Sequence, residues 1–274
     1  MKDLPEYHVK ARNTSVTSEN TIHHDQIARE FGFRGALVPG VTVYAYLTHP
    51  LVEAFGAAWL ERGTASVRFL KPIHDGEEVR VAGAVTAHDA KGLAATVTAS
   101  TTVGGECATL TATLPAGAPV PVNLALYPAA PLPAERPLAT REHWLSLGTL
   151  GTPVNPYDEA RAAEYLERVS DGLALYRGTR GWAHPGFFLD QANKALSQNA
   201  RMSPWIHAGS VVRHLGGARV GETLATRGRV RSLFEKKGRQ FVEADLAIVA
   251  ETGARPRPVA HVLHTAIYCL APAR

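Results

Sequence analysis

The chain of 274 residues contains the same sequence pattern twice. In each half, a Pro-Gly pair opens an apolar stretch, and segments that alternate between apolar and polar residues follow it. Glycines of the two copies correspond in three pairs, at offsets of 146, 145 and 146 residues: Gly40 with Gly186, Gly83 with Gly228 and Gly92 with Gly238. Matching offsets within equivalent local sequence predict a duplicated structural unit.

Each unit predicts a helix followed by a sheet. The stretch VPGVTVYAYLTHPLVEAFG is apolar on nearly all sides of a helix, which is typical of a buried helix. Strand-like segments with period-2 character come next, and the turns HDGE, DAKG and EKKG between them suit hairpins. A buried helix followed by long antiparallel strands predicts a sheet wrapped around that helix. Two copies in one chain predict an α+β pseudo-dimer.

A proline-rich segment separates the two copies. It reads PAGAPVPVNLALYPAAPLPAERPLAT and keeps neither helical nor strand periodicity, which is typical of an extended connector. We therefore expect three parts: a first unit at 1–114, the connector at 115–140 and a second unit at 141–274.

Composition argues against several classes of function. The formal charge of +4 comes from dispersed basic residues without a dense Lys/Arg run, so we expect no nucleic-acid partner. No apolar run approaches the roughly 18 residues of a membrane span, and the first residues lack an apolar signal core. We expect a cytoplasmic protein without a membrane partner. Cys107 and Cys269 lack metal-site spacing, so we expect no metal.

One motif carries chemistry. The stretch SENTIHHDQIAREFGFRGALVPGVTVYAYL resembles the hydratase motif of MaoC-like hot-dog proteins, the R-specific enoyl-CoA hydratases and 3-hydroxyacyl dehydratases. VRFLKPIHDGEEVRV resembles the strand pair that follows the central helix in that family, and SDGLALYRGTRGWAHPGFFLDQANKAL resembles a weaker second copy of the motif. The resemblance implies a tandem (double) hot-dog fold, with two antiparallel sheets that each wrap around a central helix.

The resemblance also implies an activity. Family members add water to, or eliminate it from, the double bond next to an acyl thioester, without a cofactor. A His and an Asp activate the water, while a backbone N–H at the start of the central helix polarises the thioester carbonyl. The implied partner is acyl-CoA or the acyl thioester of an acyl carrier protein (acyl-ACP), and the implied assembly is a homodimer of pseudo-dimers.

The catalytic residues carry over only in part. The family His falls on His23, the Asn on Asn20 and the helix-start glycine on Gly40. The family Asp, five residues before the His, falls on Ser18, which cannot act as a carboxylate base but can hold a water. The adjacent Glu19 would take the place of the Asp if the loop contained a one-residue bulge.

The central helix of the first unit supplies the other predicted contacts with substrate. Val41 follows Gly40, and Tyr44 lies one turn beyond it. We predict that both residues bind substrate, with a role in the hydrophobic core as the alternative for Tyr44.

The second copy departs from the motif in the complementary way. Alignment puts Asp171 at the Asp position, Tyr176 at the His position and Gly186 at the helix start. We predict a degenerate second site there, and we do not expect it to combine with the first. Asp190 and Asn193 lie on the second central helix, where they either line a pocket or form an ion pair with an arginine.

Three functions remain open at this point. The first is hydration or dehydration of an acyl thioester, with His23 as the acid–base residue. The second is binding of an acyl thioester without catalysis, with both His/Asp pairs degraded. The third is different chemistry on the same fold, either thioester hydrolysis that uses Glu19 or cyclisation of a polyketide-like substrate.

Overall fold

A computed structural model describes residues 2–253 and 255–270. The described part of the chain contains eleven β-strands: β1 (Lys2–Asp3), β2 (Tyr7–Lys10), β3 (Thr64–Phe69), β4 (Glu78–Asp89), β5 (Gly92–Thr101), β6 (Gly105–Pro115), β7 (Val154–Tyr157), β8 (Ile206–His214), β9 (Glu222–Lys236), β10 (Arg239–Ala250) and β11 (Arg257–Cys269). Its six α-helices are α1 (Asp25–Glu30), α2 (Gly40–Phe55), α3 (Ala57–Arg62), α4 (Arg141–Ser146), α5 (Glu159–Arg168) and α6 (Pro185–Ser197).

The predicted duplication is present. In the first unit, α2 is followed by strands that pair in the order β4-β5-β6-β3; in the second, α6 is followed by strands that pair in the order β9-β10-β11-β8. All of these strand pairs are antiparallel. The same steric constraint explains the glycine at equivalent positions of the two units. A Cβ on Gly83 would meet the carbonyl oxygen of Thr96 on the neighbouring strand, and a Cβ on Gly228 would meet that of Asp245.

The two predicted sheets join edge to edge. β3 pairs with β8 in an antiparallel register from Thr64 opposite Arg213 to Arg68 opposite Gly209. The result is one continuous sheet in the order β1-β4-β5-β6-β3-β8-β11-β10-β9-β7, with β2 also paired to β4. We call the β3–β8 pairing the seam. Because the seam brings the two halves together, side chains of both can reach one site.

The two central helices pack against each other inside the sheet. Twelve consecutive residues of α2, Val41 to Val52, are buried, as the all-round apolar pattern predicts. In α6, the buried positions include Phe187, Phe188 and Leu196. The predicted helix-wrapping sheet is therefore confirmed for both units.

The segment between the units runs across the surface. β6 ends at Pro115 and α4 begins at Arg141, and most residues between them are exposed. Tyr127 is an exception, since it packs against Ala247 and Val249 of β10 and donates a hydrogen bond to Asp245 (2.8 Å). Among the described residues, no helix is long and apolar enough to span a membrane.

Candidate functional site

The motif loop is tied to the second unit. Thr21–His23 form a short 3-10 turn, and α1 follows directly. The Asn20 side chain donates from Nδ2 to the Trp205 carbonyl oxygen and accepts at Oδ1 from the Trp205 N–H, both at 3.0 Å. This two-way pairing fixes the loop that carries His23.

His23 presents an unprotonated nitrogen. Its Nδ1 lies 2.7 Å from the carbonyl oxygen of Leu37, so Nδ1 is the donor. Burial lowers the pKa of His23 below its usual value, so the ring is neutral at pH 7 and Nε2 carries a lone pair. Among the described residues, this lone pair has one hydrogen-bond donor, Asn20 Nδ2, at the long distance of 3.4 Å. His23 can therefore accept a proton at Nε2.

Neither residue predicted to replace the family Asp is hydrogen-bonded to the His23 ring, although both line the smaller cavity that His23 also borders. Ser18 donates from Oγ to the carbonyl oxygen of Asn20 (3.3 Å). Glu19 is paired with Arg136 through two hydrogen bonds of 2.8 and 3.1 Å, and its side chain is 76% exposed. Among the described residues, no carboxylate is hydrogen-bonded to His23.

His23 lines a cavity of about 420 Å³, which we call the main cavity. Its other lining residues are mostly apolar and come from both units; they include Ile22, Leu37, Val43, Phe69, Ile73, Trp205, Phe241 and Ile267. Gly40 also lines it, whereas Val41 lines only a smaller neighbouring cavity of about 250 Å³ together with Ser18 and Glu19. For Tyr44 the structure matches the alternative role rather than substrate binding: its side chain is fully buried in the core and lines neither cavity.

The two central helices begin differently. No side chain among the described residues caps the first turn of α2, which Val38 and Pro39 precede. At α6, the His184 side chain occupies the place of Val38, and its Nδ1 accepts a hydrogen bond from the Gly186 N–H (3.0 Å). The N–H groups that open a helix attract a partially negative oxygen. Among the described residues, no side chain accepts from the N–H groups that open α2, whereas His184 accepts from the Gly186 N–H at the start of α6.

Side chains fill the second unit where a site was predicted. Asp171 accepts hydrogen bonds at Oδ2 from His49 (3.0 Å) and His184 (3.2 Å), and its side chain is only 3% exposed. Tyr176 is fully buried, with its ring 4.7 Å from that of His184. A Cβ on Gly186 would overlap the Tyr165 hydroxyl. Asp171 therefore belongs to a buried polar cluster, and its side-chain hydrogen bonds among the described residues go to His49, His184 and the Leu173 N–H rather than to His23.

Sequence reasoning missed much of the main cavity. His207 and Trp205 of the second unit line it, and so do the exposed Lys236, Lys237 and Arg239 at its opening. No local signal distinguishes His207, because β8 reads IHAGSVVRH and has further buried polar residues at Ser210 and His214. Asn193 was considered as a pocket residue, and it does line both cavities.

Comparison with known proteins identifies the fold. No protein-family model matches the chain, and no curated protein sequence is significantly similar to it. A protein from Chloroflexus aurantiacus described as a MaoC domain dehydratase superimposes with a TM-score of 0.67 at 11% identity, over 100% of this chain and 95% of the other.

Two further structures agree. A Mycobacterium tuberculosis protein, Rv0216, described as having a double hotdog fold, gives a TM-score of 0.64 at 14% identity and covers 97% of this chain and 96% of its own. A protein from Novosphingobium aromaticivorans described as a thioesterase gives 0.53 at 16% identity, over 85% and 88%. The chain therefore has the double hot-dog fold, as predicted, and at these identities the likeness establishes the fold alone.

Proposed function

We propose that the protein binds an acyl thioester in the main cavity and catalyses reversible addition of water to a 2-enoyl thioester. The observation that carries this proposal is that the neutral His23 and the uncapped start of α2 line the same largely apolar cavity. A general base and a donor for a developing oxyanion are the two groups that such a reaction needs.

In the elimination of water from a 3-hydroxyacyl thioester, His23 and the Gly40 N–H would each act at a defined step. His23 Nε2 takes a proton from the α-carbon of a 3-hydroxyacyl thioester, and the electron pair moves onto the thioester oxygen. The N–H of Gly40 donates a hydrogen bond to that oxygen, with help from the helix dipole. The enolate then collapses, the β-carbon–oxygen bond breaks, and His23 returns its proton to the leaving hydroxide to form water. Hydration is the reverse.

The opening of the main cavity suits an anionic carrier. Lys236, Lys237 and Arg239 are exposed there, at the end of β9, in the turn that follows it and at the start of β10. Their charges favour the phosphates of coenzyme A or the acidic surface of an acyl carrier protein. The apolar lining deeper in the cavity favours the acyl chain.

The second candidate function is acyl-thioester binding without turnover. The lack of a carboxylate hydrogen-bonded to His23 among the described residues favours it. Thioester hydrolysis through Glu19 has less support, because the ion pair with Arg136 holds this carboxylate at an exposed position.

One experiment separates these functions. Wild-type protein is mixed with crotonyl-CoA, and loss of the enoyl absorbance and release of free thiol are followed in parallel. We expect loss of absorbance without thiol release, a decrease in kcat of about 100-fold or more in His23→Ala, and near wild-type turnover in the matched control Glu19→Gln.

Other outcomes contradict the proposal. Binding of crotonyl-CoA with no turnover identifies a binding protein. Release of thiol that Glu19→Gln abolishes identifies a hydrolase. Full activity in His23→Ala places the general base elsewhere.

A further inference from the structure

A chain of four polar side chains leads into the main cavity from the second unit. His207 Nε2 lies 2.8 Å from Ser210 Oγ, and this oxygen lies 2.9 Å from His264 Nδ1. His264 Nε2 lies 2.9 Å from Asn193 Oδ1. This row of hydrogen-bonded side chains links β8, β11 and α6, and both of its histidines are buried.

The direction of these hydrogen bonds fixes the protons on both rings. Burial lowers the pKa of His264 to about 3 and that of His207 well below its usual value, so each ring is neutral with one N–H. The Asn193 amide is oriented with Oδ1 toward His264 Nε2, and in this orientation the oxygen can only accept, so His264 carries its proton on Nε2 and accepts at Nδ1. Ser210 must then donate to His264 and accept from His207 Nε2.

His207 Nδ1 is consequently left with a lone pair. This atom is buried without a hydrogen-bond partner among the described residues, and the His207 residue is 6% exposed. It faces the start of α2, since a Cβ on Gly40 would lie 3.0 Å from it. Other buried side-chain atoms of the described residues also lack a partner; His207 Nδ1 differs from them because it lies against Gly40, and both residues line the main cavity, where a ligand can supply a donor.

We propose that His207 takes the place of the carboxylate missing from the motif, by accepting a hydrogen bond from the reacting water or the substrate hydroxyl. Ser210, His264 and Asn193 are positioning residues that hold its tautomer. The inference rests on the proposed function, because that reaction supplies an O–H group at this wall of the cavity.

Two lone pairs in one cavity match the two protons of water. One O–H donates to His23 Nε2 and the other to His207 Nδ1, which leaves an oxygen lone pair to attack the β-carbon. The proton that His23 removes from the water is then delivered to the α-carbon. The second proton stays on the oxygen as the hydrogen of the new 3-hydroxyl, still bonded to His207. His207 therefore orients the water and never takes its proton, because burial holds its pKa well below the usual value and His23 is the group that accepts the proton.

The test reads the ring nitrogens directly. In full-length protein with ¹⁵N-labelled histidine, the His207 signals are assigned by their loss in His207→Asn. We expect Nε2 to be protonated and Nδ1 to be bare. 3-Hydroxybutyryl-CoA should shift the Nδ1 signal, whereas butyryl-CoA, which lacks the hydroxyl, should leave it nearly unchanged. A protonated Nδ1 in the free protein, the same response to both ligands, or no response to either overturns the proposal.

Variants test the role in turnover. His207→Leu removes the acceptor that orients the water, and kcat with crotonyl-CoA should decrease about 100-fold. His207→Asn keeps an oxygen near the Nδ1 position and should recover about tenfold of that loss. Ser210→Ala should mix the two tautomers of His207 in the NMR spectrum. Wild-type turnover in a folded His207→Leu variant overturns the assignment.

Failure of the proposed function gives a different result. If the wild type does not hydrate crotonyl-CoA, the reaction is wrong, and the tautomer and the ligand-dependent shift of His207 still decide whether this residue recognises a hydroxyl. If the wild type is active and His23→Ala is not, but His207→Leu is fully active, only the role of His207 is wrong.

Discussion

His184 and His207 each lie beside the first glycine of a central helix, but they use their nitrogens differently. His184 Nδ1 accepts from the Gly186 N–H, and its Nε2 donates to Asp171, so both nitrogens are occupied within the second unit. His207 reaches Gly40 from the other unit, and its hydrogen bond to Ser210 leaves Nδ1 free. A histidine therefore caps the central helix in the second unit, whereas a different histidine faces a cavity at the start of the central helix of the first unit.

Asp171 should stabilise the fold rather than take part in turnover. Its carboxylate accepts hydrogen bonds from His49, His184 and the Leu173 N–H, and its side chain is almost fully buried. We expect Asp171→Asn to lower the free energy of unfolding by about 2 to 4 kcal/mol at pH 7, as for a buried charge-assisted network that loses its charge. Urea denaturation measures this loss, with the exposed Asp3→Asn as control.

The same carboxylate gives a pH dependence with a definite sign. Burial alone would raise the pKa of Asp171, but the hydrogen bonds from His184 and His49 outweigh burial and hold the pKa below its usual value. The contribution is therefore present above the unfolded pKa of about 4 and lost as the pH falls below it. The stability difference between wild type and Asp171→Asn should narrow below about pH 4; a constant difference would show that Asp171 does not titrate as described.

At the scale of elements, the sequence predicts best those helices and strands that a single local pattern specifies. The Pro-Gly pairs marked the starts of both central helices, and all-round apolarity marked α2 as buried. The turns DAKG and EKKG join β4 to β5 and β9 to β10, which are antiparallel hairpins as predicted. HDGE precedes β4 but closes no hairpin, because β3 and β4 lie at opposite ends of the strand order β4-β5-β6-β3. These signals are local, so a single sequence contains them.

Contacts between distant elements were not predictable in this way. His207 joins the site because β8 pairs with β3, and no local pattern specifies which strand edges meet. Glu19 was considered as a base because it neighbours Ser18, but its partner Arg136 lies 117 residues away. The motif identified His23, and only the fold shows which groups surround it.

The two helix-start glycines should respond differently to the same substitution. An alanine Cβ at position 40 would lie 3.0 Å from His207 Nδ1 and 3.2 Å from Phe69, at the end of the main cavity. At position 186 it would overlap the Tyr165 hydroxyl and lie 2.9 Å from Ala45, inside the core. We expect Gly186→Ala to lose about 1 to 3 kcal/mol of stability and to retain ligand affinity.

Gly40→Ala should show the opposite balance. The close contacts of the new methyl group should cost stability, and the preference of a helix for alanine over glycine, about 1 kcal/mol, should offset that cost. The net change in the free energy of unfolding should therefore stay within about 1 kcal/mol. Affinity for butyryl-CoA should decrease about tenfold, since the methyl group occupies the wall on which the thioester is proposed to lie. Thermal unfolding and titration calorimetry on both variants measure the two effects. Equal losses in both variants would mean that the helix starts are equivalent after all.

At the scale of the whole molecule, the candidate site lies where the two units meet. His23 and Gly40 come from the first unit, whereas Trp205, His207 and Phe241 come from the second. Duplication therefore gave this chain one open helix start and one capped by its own histidine. Because the two halves differ in sequence, the start of α2 can border a cavity while the start of α6 is filled by side chains of the core.

The seam should hold the two units together without a continuous backbone. Five residue pairs of β3 and β8 are in register across it, and α2 packs on α6 beneath it. Gly117 lies in the exposed connector, where an added Cβ would meet nothing within 4 Å, so a specific protease site can be inserted there. After cleavage, we expect both fragments to elute together in size-exclusion chromatography and to bind butyryl-CoA as the intact protein does.

A seam variant provides the control for this prediction. Val212 is fully buried opposite Ala65, and Val212→Lys would place a charge between the units at a cost of several kcal/mol. Cleaved Val212→Lys should separate into fragments and lose ligand binding, while the uncleaved variant reports how much the substitution alone destabilises the chain. If the cleaved wild type also separates, the connector rather than the seam holds the site together, and the pairing of β3 with β8 is too weak to maintain a cavity that both units build.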